Sequence, residues 1–273
     1  MTAEENPKPK KVYGSSSAFM QGTLVFTETP SGCLRNTLLQ SRGVRDGSID
    51  PCHIIRGAFN EEEFEKRLQA QGTDYKREVP VQSPVAGIPS VLFSGRIDFI
   101  TSDAQGNRRI IELKSTESKS RLKDIKGGFY KIYNLAQLVA YMIETRTAVG
   151  DLIYTYYEKA GDNYEMKFEK SLPVSIDGYG SIVVNNLPSG FTVHDQLLHR
   201  VNSAKVIAEG LVWSRPHKWD VKWKSPCGLC AFKSACDKVD AGTIEGADAF
   251  VDEARKLITK ETSNDDSSGN PKV

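Results

Sequence analysis

The stretch from Gly95 to Lys114 constrains the fold more than any other part of the chain. Gly95-Arg96-Ile97-Asp98-Phe99-Ile100 and Arg109-Ile110-Ile111-Glu112-Leu113-Lys114-Ser115 are built from β-branched and aromatic residues in alternation with polar ones, which is the pattern of strands. Asp103-Ala104-Gln105-Gly106-Asn107 between them is turn chemistry, so the spacing predicts a hairpin. Side chains alternate faces along a strand. Glu112 and Lys114 therefore point one way, and Ile111 and Leu113 the other. A hairpin brings Asp98 alongside the Glu112/Lys114 pair. Two carboxylates and an ammonium then converge on a sheet that is otherwise apolar.

Two readings fit that convergence. One is an ordinary surface Glu/Lys pair on an antiparallel sheet. The other is a divalent-metal site, because hard cations such as Mg²⁺ or Mn²⁺ take carboxylate oxygens and a lysine beside them can orient a water or help to deprotonate it. Asp98 followed by Glu112-x-Lys114 on the neighbouring strand resembles the PD-(D/E)XK nuclease superfamily. Ile97 stands where the family name has proline, a residue that ligates nothing.

A chain of 273 residues holds one large domain, or one domain with an appended module. Its formal net charge is +1, so any affinity for nucleic acid must come from local clustering of Lys and Arg. No apolar run is long enough to span a membrane. The segment Met1 to Lys11 lacks the apolar core of a secretory signal, so a cytoplasmic protein is expected. Five cysteines in a signal-less chain point to reduced thiols available for metal rather than to disulfides.

Along the chain, residues 1–21 read as a flexible arm. A short strand is expected at 23–27, a turn at 29–33, and a helix carrying Leu34, Leu38 and Leu39. Asn60 with Glu63 reads as the capping box of a second helix, whose apolar stripe is Phe64 and Leu68. Glu61 shares that stripe. It is either a metal ligand or a first-turn acid that favours the helix dipole. Strands are expected at 75–82, 91–101 and 108–115. A basic loop follows, with Lys119, Arg121, Lys123 and Lys126: a solvated face, or a track for a phosphate backbone. Residues 129–146 read as a buried helix on which Tyr133, Gln137, Tyr141 and Glu144 share one side. Gln137 and Tyr141 either reach water at a helix edge or hydrogen-bond at the catalytic centre. A strand pair is expected at 151–158 and 164–170. An amphipathic helix with Leu197, Leu198, Val201 and Ile207 is expected at 193–210. No G-x4-G-K-[ST] motif is present, so unwinding would need a partner.

Cys227-Gly228-Leu229-Cys230 and Cys236 form C-x2-C-x5-C, which alone suggests zinc with a fourth ligand from Cys33, Cys52, His53 or His217. Trp213, Trp219 and Trp223, interleaved with cations, either stack bases of a single strand or pack against the metal centre. With Cys33-Leu34-Arg35 opening a helix upstream, the set resembles the RecB-like nucleases that carry an iron–sulfur staple, including AddB-type and CRISPR-adaptation nucleases. Gly57-Ala58-Phe59-Asn60-Glu61, Gly95-x-x-Asp98, Glu112-x-Lys114 and Gln137-x3-Tyr141 match the motifs of that group in order, over about residues 23 to 240. Glu61 stands where many relatives have His, and Glu65 is the alternative first ligand.

The resemblance implies an α/β, restriction-endonuclease-like core, a mixed central sheet flanked by helices. That nuclease domain would span 22–212. An iron–sulfur module at 213–240 would be clipped to the N-terminal helix, a helix would follow at 241–261, and 262–273 would be a disordered tail. A [4Fe-4S] cluster would sit on Cys33, Cys227, Cys230 and Cys236. Mg²⁺ or Mn²⁺ would be held by Glu61, Asp98, Glu112 and the Leu113 carbonyl, with Lys114, Gln137 and Tyr141 completing the catalytic set. Lys119, Arg121, Lys123 and Lys126 would contact DNA. The implied activity is a metal-dependent DNA nuclease, an exonuclease on single-stranded or end-frayed DNA, in recombination, repair or CRISPR adaptation. Its partners would be an integrase or a helicase or recombination protein, with homo-oligomerisation left open. A non-catalytic DNA-binding or recombination-adaptor protein on the same fold is the alternative.

Overall fold

A computed structural model of the chain describes residues 51–160, 163–210 and 232–265, together with 24–26, 29–31, 35, 38–39 and 42–44. Strands β1 (Leu24–Phe26) and β2 (Thr29–Ser31) pair as a small antiparallel hairpin. Residues expected to turn at 29–31 thus form the second strand. Helix α1 (Pro51–Ala70) is followed by β3 (Asp74–Val85), β4 (Ile88–Ser102) and β5 (Arg108–Thr116). Next come α2 (Lys119–Lys126) and α3 (Ile132–Thr145), then β6 (Val149–Ala160), β7 (Asn163–Ile176), β8 (Ser181–Val184) and β9 (Leu187–Thr192). Helices α4 (Val193–Glu209), α5 (Lys233–Asp240) and α6 (Ala247–Asp265) follow. No helix among the described residues is long and apolar enough to cross a membrane.

Strands β3 to β9 make one seven-stranded sheet in sequence order. Every neighbouring pair is antiparallel except β5 and β6, which run parallel with Lys114 beside Tyr154. Parallel neighbours need a crossover, and α2 and α3 supply it. The result is an α/β fold with a mixed sheet flanked by helices. The β4–β5 hairpin has the expected turn: Asp103 accepts from the backbone N–H groups of Gln105 and Asn107 at 2.9 and 2.8 Å.

Two cores lie on opposite sides of this sheet. Leu135, Leu138, Val139 and Met142 of α3 are fully buried against Ile110, Leu152 and Leu172, each side chain contributing about 1.5–3 kcal/mol. Phe64 and Leu68 of α1 pack with Phe99, Ile111, Leu113 and Ile153. A third cluster joins early and late residues: Leu38, Leu39 and Val44 pack with Val206, Phe232, Cys236, Phe250 and Val251.

Several elements depart from the sequence expectation, each for a tertiary reason. Asn60 is not an N-cap but a buried mid-helix residue. Its side-chain oxygen accepts from Thr155 Oγ1 at 2.9 Å and Tyr157 Oη at 2.8 Å, so it does not compete with the helix backbone. Glu61 is therefore not a first-turn acid. The basic segment is a helix rather than a loop, capped by Ser118, whose hydroxyl accepts from the Arg121 N–H. Helix α3 begins at Ile132, not Phe129; Phe129 is 71 % exposed. Tyr154 Oη accepts from the Lys131 N–H at 3.1 Å and Asn134 Nδ2 at 2.8 Å, fixing that start.

On α4 the expected stripe holds in its second half only: Ile207 is in the core and Val201 packs against it, whereas Leu197 and Leu198 are exposed and the polar Gln196, Arg200 and Ser203 are buried. Arg200 pairs with Glu144, donates to the Ala140 carbonyl at 2.9 Å and stacks 4.3 Å from the Phe93 ring centroid. Strands β8 and β9 have no counterpart in the expectation. The late helix runs Ala247–Asp265 rather than 241–261, so the first residues of the expected tail are helical. The arm at 1–21, Cys33, Cys227, Cys230 and the tryptophan-rich segment lie outside the described residues.

Candidate active site

The sheet changes character at one residue. Glu78 has φ of 51°, in the left-handed region. Backbone pairing runs to Arg77↔Phe99 and resumes at Val79↔Ile97. Odd-numbered residues change sides there. Tyr75 and Phe99 belong to the cluster under α1, whereas Val79, Val81, Phe93 and Ile97 belong to the cluster under α3. Asp98 sits at this inflection, opposite Glu78. Its Oδ2 accepts from the Leu113 N–H at 2.8 Å. The carboxylate thus takes a rung in the β4–β5 ladder, whose backbone pairing stops at Phe99↔Ile111.

Glu112 and Lys114 lie on the other side of that rung, facing α3. Glu112 is completely buried. Its Oε1 accepts from Lys114 Nζ at 2.5 Å, and its Oε2 is buried with no hydrogen-bond partner. Lys114 Nζ also donates to Gln137 Oε1 at 3.2 Å, and Gln137 Nε2 donates to Tyr141 Oη at 3.2 Å. Gln137 and Tyr141 are four positions apart and so lie on one side of the helix, and α3 presents both to the same point. Gly57, Asn60, Glu61, Arg96, Asp98, Glu112, Leu113, Lys114, Gln137 and Tyr141 share the wall of one cavity of about 240 Å³.

Burial and crowding of like charge dominate the electrostatics. Burial first, and then the neighbouring Asp98 charge, push the Glu112 carboxyl up to about 8 against the pull of Lys114. Burial also raises Asp98, opposed by Lys114 and the Leu113 N–H. Glu61 is raised by burial and by Asp98, opposed by its bond to Arg77. Burial acts to lower Lys114, but Glu112 and Asp98 outweigh it and hold the ammonium well above its usual range. All three acids are thus held above their usual range, and a cation among them would favour their ionised forms.

The donor set fits a hard divalent cation: a buried, unpaired carboxylate oxygen, a second carboxylate beside it, and an acid on α1. In the observed arrangement no three His, Cys, Asp or Glu side chains among the described residues are gathered closely enough to ligate one ion. Glu61 is turned to Arg77, 3.2 Å away. Glu65 is taken up entirely by Arg77 at 2.6 Å and Tyr75 Oη at 2.9 Å, and it does not line the cavity.

The family model of the PD-(D/E)XK nuclease superfamily matches residues 50–237 of this chain. The chain belongs to that superfamily. Solved structures similar to this PD-(D/E)XK nuclease include that of SSO0001, at 15 % identity and a TM-score of 0.43, covering 86 % of this chain and 88 % of that one. An alkaline exonuclease, LHK-Exo, in complex with dAMP matches at 14 % identity and a TM-score of 0.41, covering 72 % and 86 %. A second structure of that exonuclease, from Laribacter hongkongensis, matches at 12 % and 0.39, covering 65 % and 76 %. No protein of curated function matches the chain.

In this PD-(D/E)XK nuclease Lys119, Lys123 and Lys126 are exposed on α2, and Arg121 is half-buried, 3.3 Å from Asp124. Cys236 is buried on α5. Its backbone carbonyl accepts from Arg35 Nη1 at 3.3 Å, and Arg35 also pairs with Asp240 at 2.6 Å. Residues that the motif pattern does not single out complete the surroundings. Arg56 is buried on α1 and bonds Ser115 and Glu117 just beyond Lys114. Arg77 bridges Glu61 and Glu65. Arg96 lines the cavity two residues before Asp98; its only sequence signal is that spacing, which puts it near the acid on the same strand.

Proposed function

We propose that this protein is a metal-dependent DNA nuclease that hydrolyses phosphodiester bonds, with single-stranded or end-frayed DNA as substrate. One observation carries the reading: a fully buried Glu112 with an unpaired oxygen, sharing a cavity with Asp98 and Lys114. A chain does not keep such a carboxylate for stability.

Asp98, Glu112, the Leu113 carbonyl and Glu61, once released from Arg77, are the oxygen donors for Mg²⁺ or Mn²⁺. The ion, when bound, supplies Lewis-acid stabilisation of charge on the phosphoryl oxygens and eases deprotonation of water. Lys114 donates a hydrogen bond to the attacking water and holds it in line with phosphorus. Gln137 fixes the Lys114 ammonium, and Tyr141 fixes Gln137. The exposed cations of α2 track the phosphates of the strand. The exonuclease reading, and a place in recombination, repair or CRISPR adaptation beside an integrase or helicase, rest on the motif resemblance. The test is single-turnover cleavage of end-labelled single-stranded DNA with Mn²⁺. A chain that binds the strand and leaves it intact is an adaptor, not a nuclease.

A pH signature follows from Glu112. Its carboxyl ionises near 4.5 in the unfolded chain and at about 8 in the folded one. Between those values the native state holds a proton that the unfolded chain has lost, so stability from this group is complete below the lower value and falls as pH rises toward the upper. Ligation needs the carboxylate, so a bound cation opposes that loss. The rise in Tm on adding Mn²⁺ is therefore expected to be larger at pH 8 than at pH 6 by scanning fluorimetry. A rise that is equal at both, or larger at pH 6, contradicts the assignment.

The cysteine site is proposed to hold a [4Fe-4S] cluster on Cys33, Cys227, Cys230 and Cys236, with a structural role. Supporting it, the hydrogen bond from Arg35 to the Cys236 carbonyl brings the chain two residues from Cys33 to the late thiol. Anaerobically purified protein is expected to be brown, with a broad visible absorption that bleaches on reduction. A colourless protein carrying stoichiometric zinc overturns the cluster.

A further inference from the structure

We propose that Arg96 is a phosphate-binding residue of this cavity, held in reserve by Glu78 until a DNA phosphodiester displaces that carboxylate. The inference rests on the nuclease reading above and extends it to how the strand enters.

A phosphodiester is an anion, and the cavity it must enter is lined by Glu61, Asp98 and Glu112. Among the described residues, its lining cations are Lys114 and Arg96. Lys114 is occupied by Glu112 and Gln137. Arg96 is different: its side chain is 61 % exposed and sits at the rim, with its guanidinium Nη1 3.0 Å from Glu78 Oε1. Its backbone is fixed, because the Arg96 N–H donates to Tyr141 Oη at 3.3 Å. The guanidinium is thus solvent-accessible while its base is anchored to the catalytic helix. A planar fork of donors matches two phosphate oxygens.

Glu78 supplies a second observation. It is a non-glycine residue with φ of 51° inside a strand whose register is otherwise unbroken from Asp74 to Pro84. Left-handed backbone at such a residue is unfavourable and persists where the surroundings enforce it, commonly at functional sites. Besides turning the strand over beside Asp98, this residue carries the carboxylate that pairs with Arg96 at 3.0 Å. An exposed ion pair of this kind adds little to stability, and it is weak enough for a phosphate to exchange for it.

Kinetics with Mn²⁺ on a single-stranded oligonucleotide test this. Arg96→Ala is expected to lower kcat/KM about 10- to 100-fold, the size of one charge-assisted hydrogen bond, chiefly through KM. Arg96→Lys should recover part of it. Glu78→Gln is expected to lower KM about two- to fivefold, the range of an exposed ion pair, and to have no such effect in an Arg96→Ala background. Binding is read separately, by anisotropy of a fluorescein-labelled oligonucleotide on the Glu112→Gln chain. There Arg96→Ala should reduce the slope of log Kd against log salt by about 0.7, one phosphate contact on a single strand. An unchanged KM and an unchanged salt slope in Arg96→Ala, with wild-type cleavage intact, overturn the proposal. Absence of wild-type cleavage would instead count against the nuclease reading, and the binding arm would still decide Arg96.

Discussion

Glu112→Gln is expected to lower the single-turnover rate of Mn²⁺-dependent cleavage by about a thousandfold or more, a loss of at least about 4 kcal/mol of transition-state stabilisation. The substitution keeps shape and removes charge. In the proposed site the lost charge is the one carboxylate with an oxygen available inside a fully buried setting. Lys114→Met should fall to a similar level, because it removes the group proposed to position the water and leaves Glu112 without its partner. Stability is expected to move differently. Glutamine needs no proton to be neutral, and the buried carboxylate is a burden on the fold. The cation-free Glu112→Gln chain should therefore melt no lower than wild type at pH 8. Activity lost with stability retained marks a functional acid; activity lost through a lower Tm would mark a structural one. Full cleavage by Glu112→Gln removes the assignment.

Gly150→Val is expected to destabilise the chain by about 3 kcal/mol, through overpacking. Gly150 pairs with Ile110 on the parallel neighbour. A Cβ at this position meets the Ile110 carbonyl oxygen at 2.9 Å, Leu138 Cδ1 at 3.0 Å and Met142 sulfur at 3.2 Å. The first of these is backbone in the middle of the sheet and cannot move aside cheaply. The other two are on α3, next to Gln137 and Tyr141. Relief must come from lifting α3 off β6, which displaces the residues that hold Lys114. A fall in Tm of about 6–12 °C is expected for a domain of this size, together with weaker cleavage at temperatures where the chain is still folded. A Tm within a degree of wild type would contradict the packing described at the α3–β6 junction.

The hairpin that carries Asp98, Glu112 and Lys114 is legible in the sequence because its signals are local: alternation on both strands and an Asp-x-x-Gly-Asn turn. The same holds for the β6–β7 pair and for the placing of Gln137 and Tyr141 one turn apart. What is not legible depends on distant partners. Asn60 reads as an N-cap until Thr155 and Tyr157 arrive from β6 to use its oxygen. Leu197 and Leu198 read as a buried stripe until Glu144, Ala140 and Phe93 claim Arg200. The rung made by Asp98 depends on the left-handed turn at Glu78, and glutamate gives no local sign of it. Two features did have a signal. Ser118 three residues before Arg121 is cap spacing. Asn185-Asn186 between Val184 and Leu187 is hairpin chemistry, and both residues have positive φ, 50° and 65°, as a tight turn between β8 and β9 requires.

The central claim is that the acids on β4, β5 and α1 hold a divalent ion beside Lys114. Anomalous scattering from crystals equilibrated with Mn²⁺ locates the ion directly. A peak bonded to Asp98 and to the Glu112 oxygen that lacks a partner, with Glu61 turned away from Arg77 toward it, is the expected result. Manganese bound only elsewhere, with the Glu112 carboxylate still paired to Lys114 alone, would contradict it.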